Sequence, residues 1–170
     1  MTHLGLRGER AALSAGLTDA RQHVLGVLDG LDDEALRRPT LPSGWSCLGL
    51  VRHLALDDER FWFRGVIAGE RTVIDAVHLS ADNAWRVAAD VPAQEVLGTY
   101  RREIGHADEI MAGVDLDAAP AWWPAGLFGE WRLHTVREVV FHVLIETACH
   151  AGHLDAAREL IDGRLWLALT

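Results

Sequence analysis

The sequence predicts an all-α fold, a four-helix bundle with long connections. Three observations point to it. Four long stretches carry apolar residues at three-, four- and seven-residue steps, capping and terminating residues bound those stretches, and no segment shows a convincing period of two. With 170 residues, 49% of them hydrophobic, the chain is long enough for one well-formed core and short for two, so a single domain over 1–170 is expected.

The first helix runs roughly from Glu9 to Leu28, with Leu13, Leu17, Val24 and Leu28 on its apolar face. "LDGLDDEALRRP" follows, a turn and one short helix that Pro39 stops. The second helix begins after "LPSGW", where Ser46 is placed to cap it, and extends to Ala68 with Gly69 as terminator. From Glu70 to Asp90 the chain is looser and more polar; "RTVIDAVHL" is the one candidate strand, and a short helix is a candidate near Ala81. The third helix opens with Pro92 in its first turn and persists to about Ala112. Gly113 to Trp131 reads as a long ordered loop carrying Trp122, Trp123, Phe128 and Trp131. Thr135 and Glu138 form a capping box that starts the fourth helix, which ends near Asp162 before Gly163.

A formal charge of −9 and a pI near 5.4 exclude nucleic-acid and anionic-membrane partners, which require a basic face. All 16 basic residues are arginine, as a GC-rich genome would produce. Cys47 and Cys149 form no CxxC pair or disulfide framework, which suits a reducing cytoplasm. The start of the chain lacks the basic-then-apolar order of a signal peptide, and no apolar run approaches the ~20 residues of a membrane span, so a soluble intracellular protein is expected.

The chemistry concentrates in "FHVLIETACHAGHLD" on the fourth helix. At ~100° per residue, His142, Glu146, Cys149, His150 and His153 fall within an arc of roughly 100°, while apolar residues fill much of the remaining circumference. A helix so apolar is expected to be buried, with its polar stripe facing the interior or a cleft. Glu146 and His150 stand four apart, which either lets both ligate one cation or makes them an ordinary hydrogen-bonded pair. A third ligand must come from another helix. His53 is the best candidate, at the edge of the apolar arc of its helix, with Asp57 one turn later to orient it. His142 and His153 read as pocket residues rather than ligands, and His3, His23, His78, His106 and His134 as surface or packing residues.

Cys149 reads as a small buried side chain rather than a nucleophile. Cys47, near a helix start, is placed for a lowered pKa but has no base beside it. Trp45, Trp62 and Trp85 are expected in the core. The cluster "AWWPAGLFGEW" either roofs a ligand pocket or seals one end of the bundle.

"LPSGWSCLGLVRHLALDDERFWFRGVIAGE" together with "HVLIETACHAGHLDAARELIDG" resembles the DinB-like superfamily of four-helix-bundle metalloenzymes, specifically its mycothiol S-transferase branch, related to mycothiol-dependent maleylpyruvate isomerase. The resemblance covers nearly the whole chain. It implies a divalent metal held by His53, Glu146 and His150, the glutamate standing where many members have histidine. It also implies a bacterial enzyme of detoxification, and by analogy a homodimer through bundle faces. Related chains often carry arginine just before the last ligand and an acidic residue before the glutamate, where this chain has Cys149 and Ile145.

Two histidines and a carboxylate leave a coordination position open, the arrangement of a catalytic zinc site. Zinc is therefore expected, with iron(II) or nickel(II) as alternatives. A thiol in the open position loses its proton readily. The expected activity is a metal-dependent transferase that activates mycothiol or a similar low-molecular-weight thiol for attack on an electrophilic small molecule. His153 or His142 would move the proton, and Arg60 and Arg64 would bind an acidic cofactor. The alternatives are a metal-dependent hydrolase or isomerase, and a non-catalytic, metal-stabilised, stress-related binding protein.

Overall fold

The computed structural model describes residues 3–79 and 83–166, with side chains described over 8–77 and 83–166. All regular structure among them is helical: α1 (His3–Val27), α2 (Asp33–Arg37), α3 (Cys47–His53), a π-helical segment (Leu54–Ile67), α4 (Arg71–Leu79), α5 (Ala93–Gly113) and α6 (Val136–Asp162). The π segment continues α3, whose last cap residue, Leu54, keeps helical backbone angles. Four long rods, α1, α3 with its π continuation, α5 and α6, make the bundle. α1 packs along α6, α5 along α3 and the π segment, and α6 closes against the π segment.

The helix ends lie where local chemistry puts them. Ser46 accepts the Gly49 N–H at 3.1 Å, and Thr135 accepts that of Glu138 at 3.2 Å while Glu138 accepts that of Thr135 in return. Gly163, at φ +77°, ends α6 in the left-handed region. Pro92 caps α5 with extended backbone instead of occupying its first turn. No helix is long and apolar enough to cross a membrane, among the described residues.

The candidate strand "RTVIDAVHL" is helix α4. Val73 and Ile74 are buried and Val77 half-buried, at helical spacing, and the helix packs on the π segment. That burial outweighs the few tenths of a kcal/mol by which β-branched residues disfavour helix. The short helix expected near Ala81 lies outside the described residues.

The π segment obeys a different period from its neighbours. Its buried side chains come in adjacent pairs every four residues, Leu54–Ala55, Asp58–Glu59, Trp62–Phe63 and Val66–Ile67. A regular α-helix turns every 3.6 residues and would carry such pairs progressively off one face. Wider turns, with bonds such as Ala68 N–H to Phe63 O at 2.9 Å, hold them inward. The consequence is that an acidic pair enters the core.

The interior is accordingly layered. One apolar cluster surrounds Val24, Leu50, Leu54 and Leu154, another surrounds Leu17, Phe63, Met111 and Val140, and each rod carries a buried polar residue at the level between them. These are Arg21, Asp58 with Glu59, Glu103, and Thr147.

Candidate metal and ligand site

His53 closes α3, where its side chain is 16% exposed and its Nδ1 lies 2.8 Å from Asp57 Oδ2. With Asp57 accepting, Nδ1 is the donor, which leaves Nε2 as the ring nitrogen that could face a metal. The ring lies flat on the Trp85 indole, centroids 4.3 Å apart at 18°. Gly49 makes this stack possible, because a Cβ there would sit 2.1 Å from the Trp85 carbonyl oxygen. Sequence reasoning assigned Trp85 to the core and missed this role. Trp62 is in the core as expected, whereas Trp45 and Trp85 are only partly buried at its edge.

His150 meets His53 edge to face, with ring centroids 5.2 Å apart. Burial first, then the neighbouring His53, lowers its pKa to about 4, despite the opposing charge of Glu146. His150 is therefore a neutral imidazole at pH 7. Its Nε2 lies 3.7 Å from Glu146 Oε2, so the pair four residues apart does share one side of α6. On its other edge, His150 Nδ1 is 3.3 Å from Nδ1 of His153, which is exposed and lies 6.3 Å from the Trp45 ring.

Below this group opens a cavity of about 600 Å³, within the range of small-molecule sites. Arg52, His53, Asp57, Asp58, Arg60, His142 and Glu146 supply its polar lining, and Phe61, Trp62, Val73 and Phe128 much of its apolar lining. His142 lies against Trp62 at 4.8 Å and Trp131 at 5.3 Å, and burial lowers its pKa. The loop after α5 is tied down by the Trp122 N–H to Val66 O bond and by buried Leu116. Through Leu127 and Phe128 it lines the cavity, and through Trp123, Phe128 and Trp131 it packs around Trp62.

Other expectations need correction. Cys149 is exposed rather than buried. α6 is flanked by α1 on one side and the π segment on another, which leaves Phe141 and Ile145 about half exposed on a third. Cys47 is buried, and that burial raises its thiol to about 11, opposite to the lowering expected at a helix start. Arg64 is paired with Glu70 and Glu103 and does not line the cavity; Arg60 lines it while donating to Glu103 at 2.6 and 2.9 Å.

Among the described residues, no group of three or more His, Cys, Asp or Glu side chains stands ready to hold an ion as the side chains are placed. The donor chemistry nevertheless fits one. His53 turns Nδ1 to Asp57, His150 is neutral, and the Glu146 carboxylate is only a few tenths of an ångström farther from His150 Nε2 than two ligands sharing a ~2.1 Å shell would be. Glu146 is half-buried at the cavity wall.

No curated protein and no solved structure matches the chain. The family model of the mycothiol S-transferases does match, over residues 12–163, from within α1 to just past the end of α6, and the chain belongs to that family.

Proposed function

We propose that the protein is a metal-dependent thiol S-transferase in which a low-molecular-weight thiol of the mycothiol type attacks an electrophilic small molecule in the cytoplasm. Family membership supports the transferase class. One observation carries the rest: His53, oriented by Asp57 and edged by neutral His150, lines a substrate-sized cavity together with Glu146.

A divalent ion held by His53, Glu146 and His150, zinc in the leading version, would make a nearby thiol acidic enough to ionise at neutral pH. The chain's own residues do the remainder. His142, neutral between two indoles at the cavity, accepts the thiol proton. His153, against the far edge of His150, holds that ring in place. The aromatic wall excludes water and receives the electrophile. Arg60 at the rim, 38% exposed, offers an anionic thiol a partner. The sulfur forms the new C–S bond with its own electron pair, and the leaving group departs with the pair of the bond that breaks.

His150→Ala tests this reading. Metal and thiol-transfer activity should disappear together while far-UV circular dichroism stays helical. Retained activity would reject it, and a metal-binding protein with no turnover on any thiol would point to the non-catalytic alternative.

A further inference from the structure

Asp58 is the one acidic residue of the cavity lining that is both buried, at 4% exposure, and left with a carboxylate oxygen lacking any hydrogen-bond partner among the described residues. Its sequence neighbour Glu59 is equally buried yet held by both nitrogens of the Arg21 fork. An unpaired buried carboxyl costs several kcal/mol, so its presence calls for a partner that arrives from outside.

The surroundings specify the sign of that partner. Burial, then the charges of Glu146, Glu59 and Asp57, raise the Asp58 pKa well above the ordinary carboxylate range. The orphaned oxygen is an acceptor facing a cavity, and a positively charged donor would satisfy it. Arg60, the lining arginine nearest in sequence, turns its Nε and Nη2 to Glu103, and Asp58 Oδ2 has no hydrogen bond to it. The rest of the lining is largely apolar, and within it Phe61, Trp62 and Phe128 offer faces to a flat body or a cation.

We propose that this cavity takes a small molecule with a flat apolar body and a positively charged hydrogen-bond donor, and that Asp58 receives the charge. Naming that molecule as the electrophile rests on the transferase reading; its binding does not. Asp58 is then a specificity-determining residue, placed by the four-residue period of the π segment, and the binding energy it supplies favours amines or amidines over neutral molecules of the same shape.

Calorimetric titration of the metal-loaded protein with benzamidine and with acetophenone, which has a similar shape and no charge or donor, tests this directly. Wild type should bind benzamidine at least about tenfold tighter, the value of one charge-assisted pair. Asp58→Asn should bring the ratio close to one with metal content and helicity unchanged. Equal binding of the two probes by wild type, or an undiminished preference in Asp58→Asn, would overturn the proposal. Asp58→Leu, which removes the buried polar atoms altogether, serves the same comparison if the asparagine variant folds poorly. Absent thiol turnover with the benzamidine preference intact would end the transferase reading and leave this one standing.

Discussion

The buried polar layer has two halves that treat the same chemistry in opposite ways. Toward α1 and α5, Arg21 grips Glu59 through two bonds of 2.7 Å, and Glu103 accepts from Arg60 and Arg64. Toward α6, Asp58 Oδ2 at the cavity and Thr147 Oγ1 have no partner among the described residues, and on α5 the Tyr100 hydroxyl beside the Arg21–Glu59 pair also has none. Burial is nearly equal in both halves, so packing does not explain the difference. The paired groups fasten the rods, whereas Asp58 lines the cavity with an oxygen that the described residues leave without a partner. A deep polar residue is thus informative through what it lacks as much as through what it touches.

The largest expected effect breaks the paired half. Arg21→Met strands Glu59 in the core and should cost roughly 3–5 kcal/mol in urea unfolding, whereas adding Glu59→Leu should recover much of that loss. Recovery is the sharper part, because it separates a stranded charge from simple loss of packing.

Next comes acid, acting on the cavity half. His150 has its pKa lowered from 6.5 to about 4, so the unfolded chain takes up its proton first as pH falls. Stability of the metal-stripped protein should be constant above about pH 6.5 and decline toward pH 4, by on the order of 2–3 kcal/mol. His150→Gln should flatten that decline in a pH series of melting temperatures.

Asp57→Asn keeps the shape of the His53 partner but removes its charge. Metal affinity should fall about 10–100-fold while the paired half, read by urea unfolding of the apo protein, is unaffected. Smallest is Gly49→Ala, whose Cβ would displace the Trp85 backbone from α3. A loss of about 1–3 kcal/mol is expected, together with a change in tryptophan fluorescence as the His53 stack opens.

Much of this was legible in the sequence because helix ends are local chemistry. Ser46, the Thr135–Glu138 box and Gly163 each act over three or four residues, and each lies where the spacing predicts. α4 stood as a candidate strand because Val73, Ile74 and Val77 suit either geometry in isolation, and only the π segment beneath them decides. Asp58 escaped notice although a wheel at 3.6 residues per turn places it about 40° from both Leu54 and Trp62, because a carboxylate on an apolar arc is rarely buried. The pairs Leu54–Ala55, Trp62–Phe63 and Val66–Ile67, at multiples of four residues, were the signal that positions 58 and 59 also face inward. Trp85 over His53 had no such signal, since the stack joins segments more than thirty residues apart through a backbone contact that only Gly49 permits.

Elemental analysis of the purified protein, wild type beside His53→Ala and Glu146→Ala, tests the central claim most directly. The account predicts about one divalent ion per chain in wild type, from a single three-ligand site, and its loss from both variants with the bundle still folded. A wild type that stays metal-free after zinc is offered would contradict it, and His53, Glu146 and His150 would then be a hydrogen-bonded group at the mouth of a cavity.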